Sequence, residues 1–168
     1  LRELVAEHRL SPADLIWPVF IREGEGIEEP VASMPGVARL SLDRMLRAAE
    51  MAHGLGVSTI CLFPYTDQSL RTETCDEAWS PENLTNRAIR LLKRELPSMS
   101  VMTDIALDPY NANGHDGFVV EGEIVNDETV AALVKMALAQ AEAGADILGP
   151  SDMMDGRIGA MRTALESA

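Results

Sequence analysis

The densest run of reactive side chains lies between residues 103 and 117, TDIALDPYNANGHDG. Asp104 sits inside an otherwise apolar stretch. A carboxylate there either accepts backbone donors or projects into a pocket mouth, where burial raises its pKa and lets it handle protons. Asp104, Ala106 and Asp108 alternate, so on an extended strand they would share one face. Asp116 returns in the following loop with His115 and Tyr110. Two carboxylates and a histidine could hold a hard cation such as Mg²⁺, although Asn111, Asn113, Gly114 and Asp116 are also ordinary turn formers. A second cluster, GPSDMMDGR over residues 149–157, places Ser151 at a site mouth and offers Asp155 as a helix cap. A third, FPYTDQSLR over 63–71, carries Tyr65 and Arg71, which could contact an acidic substrate or simply form a solvated loop. Nucleophiles are scarce. There is no G-x-S-x-G elbow and no cysteine–histidine pairing. The two lysines, Lys93 and Lys135, fall among the polar residues of helices, whereas a Schiff-base lysine needs a desolvated pocket.

The elements that must position these residues follow from hydrophobic patterning. Residues 15–21 (LIWPVFI) read as a buried strand, in which Pro18 requires an edge or a bulge. A linker over 22–40 leads to a helix begun by Ser41 as N-cap, with Leu42, Met45, Leu46, Ala49 and Ala52 on one face and Gly54 and Gly56 at its end. Residues 57–63 (VSTICLF) form a second strand, 66–82 a polar loop and 83–96 a second helix. Residues 100–107 are a third strand and 108–126 a long loop. Asp127 caps a third helix that Gly144 ends. Residues 145–148 begin a fourth strand, and 156–167 form a fourth helix. Four strand–helix units with short, continuously apolar strands predict a parallel sheet covered by helices. Such an α/β chain is either an open doubly wound sheet or part of a (β/α)8 barrel, and a whole barrel needs roughly 250 residues. The long loops follow the carboxyl ends of the strands, where both architectures build their sites. No glycine-rich phosphate loop follows any strand, which weakens a nucleotide-binding reading.

Composition narrows the classes further. The 168 residues carry a formal net charge of −13, which repels nucleic-acid backbones and anionic membranes. With aromatic residues at only 4%, the core must be aliphatic. Cys61 and Cys75 form no short motif, which points to a reducing, cytoplasmic compartment. No stretch reads as a membrane span or a signal peptide. The first residue is Leu1 rather than Met, so the expectation is a trimmed or unrecorded amino terminus.

Along essentially its whole length the sequence resembles the porphobilinogen synthase (5-aminolevulinate dehydratase) family. The resemblance rests on SPADLIWPVFIREGE, VASMPGV, LSLDRMLRAAEMAHGLGV, TDIALDPYNANGHDG, VNDETVAALVKMALAQAEAGADI and PSDMMDGRIGAMR, contiguous and in order. It implies a TIM barrel of which these residues supply about the first four βα units, as one partial domain over 1–168. It also implies a homo-octamer of arm-hugging dimers and a role in tetrapyrrole synthesis, in which two 5-aminolevulinates condense with loss of water through two Schiff-base lysines. Asp104 matches the strand aspartate beside those lysines, and Ser151 the serine facing the same pocket; both are expected to be catalytic. Zinc-dependent members carry three cysteines where this chain has Ala106, Asp108 and Asp116. Zinc prefers thiolates, so no catalytic zinc is expected. Asp108 and Asp116 are then expected to bind substrate amine or water, and remain the only metal-ligand candidates. The resemblance places the two lysines, the lid, the substrate-carboxylate arginines and the glutamate of an allosteric Mg²⁺ site beyond Ala168. The clasping amino-terminal arm is mostly absent. These residues alone are therefore expected to be inert. Two other readings compete: a non-catalytic half-barrel that folds or dimerises, and a metal- or anion-binding module using Asp108, His115 and Asp116.

Overall fold

Short runs of β-branched and aliphatic residues form the strands, and the 3.6-residue stripes form the helices between them. The computed structural model describes residues 2–168. Its elements are β1 (Ile16–Arg22), β2 (Glu28–Pro30), β3 (Ala38–Leu40), α1 (Leu42–Gly54), β4 (Thr59–Tyr65), α2 (Leu84–Glu95), β5 (Ser100–Ile105), β6 (Phe118–Val120), β7 (Glu123–Val125), α3 (Asn126–Ala143), β8 (Ile147–Pro150) and α4 (Arg157–Ser167).

The main sheet runs β2-β3-β1-β4-β5-β8, with β1, β4, β5 and β8 as parallel neighbours. Each successive βα unit adds on the same side, and the strand order never reverses. Right-handed crossovers then send every helix to one face of the sheet. A doubly wound sheet reverses its order and carries helices on both faces, so this topology selects the barrel alternative. Neighbouring helices pack in sequence, α1 on α2, α2 on α3 and α3 on α4. The fold is four units of a (β/α)8 barrel.

Alternation along the strands sorts side chains between the two faces. Val19, Ile21, Ile60, Leu62 and Val101 are buried against Met45 and Ala49 of α1 and Ala88, Ile89 and Leu92 of α2. Ile105 and Leu107 are buried with Leu133, Met136 and Ala137 of α3 and Met161 of α4. The intervening residues Ile16, Pro18, Phe20, Cys61, Phe63, Met102 and Asp104 therefore share the face away from the helices. The register places Phe20 opposite Phe63, Cys61 opposite Met102 and Asp104 opposite Gly149.

Several sequence expectations change. The linker over 22–40 contains β2 and β3, an antiparallel pair that joins β1 through Phe20↔Arg39 and Ile21↔Leu40. Because β3 covers β1 only from Phe20 onward, Pro18 stands where one side of the strand is open, the edge that a proline needs. Ser41 occupies the N-cap of α1, but its hydroxyl accepts no N–H of the first turn. Its hydroxyl instead accepts the Ile27 N–H at 2.9 Å and donates to Asp43 at 2.6 Å, tying the preceding loop to the helix. The loop after β5 contains the β6–β7 hairpin. α3 starts at Asn126 with Val125 as N-cap, ahead of Asp127. β8 begins at Ile147 rather than Ala145, since the Asp146 carboxylate is drawn to the Val101 N–H at 2.7 Å and to Lys93 at 3.0 Å. Asp155 does not cap α4: that place belongs to Gly156, and the Asp155 N–H donates to Asn126 Oδ1 at 2.8 Å.

Candidate active site

Asp104 lies one residue before the end of β5, on the helix-free face and beside Gly149 of β8. Gly149 keeps the neighbouring position clear. A Cβ there would stand 2.6 Å from Met102 Cε and 3.4 Å from the Thr103 carbonyl oxygen. Ser151 follows β8 by one residue and is exposed at the same mouth. Loss of hydration pushes the Asp104 pKa up, the Ser151 hydroxyl opposes this by hydrogen bonding to the carboxyl, and the charges of Asp116 and Asp152 add to the rise. The result is a half-buried acid neighboured by a hydroxyl at the same strand ends, a pairing suited to passing a proton.

Asp108 reaches the mouth by a different route from the one alternation predicts. β5 ends at Ile105, and Ala106 and Leu107 turn into the core, 3% and 0% exposed. The Tyr110 and Asn111 N–H groups both bond the Leu107 carbonyl at 2.9 Å, and this turn presents Asp108 to solvent. The Asp108 carboxyl is also held above its ordinary range, by desolvation and by the charges of Asp116 and Asp104. Because the residue is exposed, the neighbouring charges are physically the stronger influence.

Asp116 is returned to Asp108 by Asn111, a residue that sequence reasoning took for a turn former. Asn111 is 1% exposed. Its Nδ2 donates to the carbonyls of His115 at 2.9 Å and Gly117 at 3.0 Å, which flank Asp116, while its Oδ1 accepts the Asn113 N–H at 2.8 Å. Its backbone forms a bridge with Thr72, joining the loop after β4 to the loop after β5. The Asx-turn potential of asparagine was the available signal; its burial was not visible in one sequence.

Other singled-out residues have structural occupations. Tyr110 is buried, with its hydroxyl 3.1 Å from Thr85 Oγ1, and burial drives its pKa far up. His115 Nδ1 accepts the Gly117 N–H at 2.9 Å. Arg71 donates to the Thr66 carbonyl from Nε at 3.2 Å and Nη2 at 3.1 Å, and its guanidinium carbon lies 5.9 Å from the Tyr65 ring centre. Lys93 pairs with Asp146, and Lys135 stands over the Trp79 ring at 5.0 Å. Burial raises the Cys61 thiol to about 11 and the Cys75 thiol to about 12, with the charges of Asp104 and Asp76 contributing. Sequence reasoning gave no site role to Asp152 and Arg157, which form an ion pair at 2.8 Å beginning at the residue after Ser151.

Among the described residues, no three histidine, cysteine, aspartate or glutamate side chains converge closely enough to hold a metal ion. A buried alanine and two aspartates do not fit a zinc–thiolate centre. Among the described residues no helix is long and apolar enough to cross a membrane.

Comparison with known proteins converges on one family. The family model described as delta-aminolevulinic acid dehydratase matches residues 1–168. The delta-aminolevulinic acid dehydratase of Rhodobacter capsulatus is 58% identical over 168 residues, 100% of this chain and 51% of the relative. That of Bradyrhizobium diazoefficiens is 53% identical over 99% of this chain and 47% of the relative. The chloroplastic enzyme of Pisum sativum is 50% identical over 99% and 42%. The chain thus spans about half the length of the curated relatives it matches. The crystal structure of delta-aminolevulinic acid dehydratase (porphobilinogen synthase) from Toxoplasma gondii ME49, in complex with the reaction product porphobilinogen, superposes with a TM-score of 0.95 at 43% identity. It covers 99% of this chain and 47% of that one.

Proposed function

Since the chain belongs to the delta-aminolevulinic acid dehydratase family, we propose that it supplies one wall of an active site that condenses two 5-aminolevulinate molecules into porphobilinogen with loss of water. The observation that carries this reading is the placing of Asp104 and Ser151 together at the carboxyl ends of adjacent strands, in a fold that matches a porphobilinogen complex over 99% of its length. Pyrrole formation requires protons to leave carbon and to reach departing water. Asp104, with its raised pKa, accepts and returns such a proton, and the Ser151 hydroxyl orients the carboxyl and relays at the same mouth. Asp108 and Asp116 carry charge toward the substrate's amino group or an ordered water, through charge-assisted hydrogen bonds. Schiff-base formation is assigned to lysines other than Lys93 and Lys135, which are tied to Asp146 and Trp79.

The same reading assigns the site to the aspartate type. It works without catalytic zinc, because Ala106, Asp108 and Asp116 offer no thiolate; any Mg²⁺ acts at a structural or allosteric position outside these residues. The assembly is a homo-octamer in the cytoplasm, with no nucleic-acid or membrane partner. The net charge of −13 supports the last point.

The test uses the full-length protein. Incubation with 5-aminolevulinate should yield porphobilinogen, and borohydride should trap substrate on a lysine outside residues 1–168. Asp104→Asn should cut turnover by about 10²–10⁴ while leaving that adduct in place. Trapping at Lys93 or Lys135, or full turnover by Asp104→Asn, would overturn the assignment. Undiminished activity after zinc-selective chelation with Mg²⁺ kept in excess is expected for a zinc-free site.

A further inference from the structure

Behind Ser151 the chain closes a small polar ring whose parts the proposed chemistry does not use. The Asp152 side chain is fully buried. One of its oxygens, Oδ1, stands 2.8 Å from Arg157 Nε in an ion pair without hydrogen-bond alignment, and the other, Oδ2, accepts the Met154 N–H at 2.8 Å. Arg157 Nη1 donates to the Met154 carbonyl at 2.7 Å. The segment from Ser151 to the first residue of α4 is thus braced at both ends by one ion pair. A buried carboxylate with its own guanidinium partner is an expensive way to hold a short loop, since apolar packing would do as well for stability alone. The ring's position gives it another use, because it stands directly behind the residue that faces Asp104.

We propose that Asp152 and Arg157 are positioning residues for the Asp104–Ser151 pair: the ring fixes the backbone that carries Ser151 and sets the charge that Asp104 faces from β8. This rests on the reading of Asp104 and Ser151 as the proton-handling pair. The titratable groups electrostatically coupled to Asp104 are Cys61 from β4, Asp108, Tyr110 and Asp116 from the loop after β5, and Asp152 from the loop after β8. All are neutral or negative, while Arg71 acts on Asp108. Arg157, paired to Asp152, brings a positive charge to the loop after β8.

This makes a signed prediction that simple loss of packing does not. In the full-length protein, Asp152→Asn keeps an acceptor for the Met154 N–H but frees the Arg157 charge. The Asp104 titration, read as the limb of the kcat/KM pH profile that disappears in Asp104→Asn, should move down on the order of half a pH unit. kcat should fall more than KM changes. The double variant Asp152→Asn/Arg157→Gln removes both charges and should bring the midpoint back toward the parent value. Arg157→Lys, which keeps the charge, should leave it in place. An unmoved midpoint in Asp152→Asn, or a double variant shifted as far as the single, would overturn the proposal. Carboxyl ¹³C titration of Asp104 reads the same shifts without turnover. If the parent protein forms no porphobilinogen, the functional reading fails while the coupling between Asp152 and Asp104 is still measured.

Discussion

Asp104 is held where burial disfavours its charge and only the Ser151 hydroxyl favours it. A carboxyl whose folded pKa exceeds its ordinary 3.8 binds more protons folded than unfolded between those two values. Its contribution to stability is fully present below the unfolded pKa and is lost as pH rises through the folded one. Asp108 shifts in the same direction and adds to the effect. Asp104→Asn should therefore weaken the decline in stability from about pH 4 to about pH 7, seen as a smaller change in urea midpoint between the two. Turnover in the full-length protein should fall by about 10²–10⁴, the range for losing a positioned acid–base group. A variant that loses activity without flattening the stability profile would show that Asp104 is ionised and hydrated in the native state. Asp146 gives the opposite sign. Desolvation raises its pKa, but the Val101 N–H and Lys93 outweigh this and the net shift is downward. Its contribution is present above 3.8 and is lost as pH falls through the lower, folded value.

At the scale of elements, the loop after β5 is shaped by contacts that no local pattern announces. Asn111→Ala would leave the His115 and Gly117 carbonyls without their side-chain donor and unfasten the Asn113 turn. The expected cost is about 1–3 kcal/mol. With Asp116 free to move away, the Asp108 carboxyl should titrate closer to its ordinary value, an effect visible by carboxyl NMR in protein that is still folded. Gly144 ends α3 at φ +107, and a Cβ there would approach Lys93 Cγ at 3.2 Å. Gly144→Ala should cost about 1–2 kcal/mol through backbone strain, measured by urea unfolding, and should push Lys93 off Asp146. These cases explain what the sequence made legible. The four βα units were readable because each strand is a continuous apolar run and each helix carries a 3.6-residue stripe. β2, β3, β6 and β7 are three residues long, too short for a period of two to register. Asp104 and Ser151 were singled out from the familiar motifs around them, and the fold sets them at the carboxyl ends of adjacent strands. Asp108 was expected on the strand face of Asp104 but is presented by a turn, the return of Asp116 in the loop is fixed by an asparagine clamp, and the Asp152–Arg157 ring spans a spacing that matches no helical or strand repeat.

The molecule as a whole is a sheet with one face covered and one open. Ile21, Ile60 and Leu62 are fully buried under the helices, whereas Ile16 on the opposite face of β1 is 52% exposed and Ile147 at the edge strand β8 is 40% exposed. Among the described residues β8 pairs only with β5, and β1 beyond β3's reach pairs only with β4, so both flanks of the four-strand arc present backbone groups unpaired within these residues. Open edges and apolar surface favour association, and in a closed barrel both would be covered by further strands. The charge of −13 per chain opposes the approach of like copies. The two influences respond differently to salt, because screening weakens the repulsion between charges and leaves apolar burial intact or strengthened. These 168 residues expressed by themselves should therefore associate in a concentration-dependent manner, and more strongly as sodium chloride is raised from about 0.05 M to about 0.5 M. Sedimentation velocity measures this directly. Charge substitutions on β8's neighbour-facing edge, such as Ile147→Lys, should reduce association without altering the helical circular dichroism. A chain that stays monomeric at every salt concentration would mean that the arc closes on itself or shields its inner face. Dissociation on adding salt would place ion pairs, rather than the apolar face and the strand edges, at the contact.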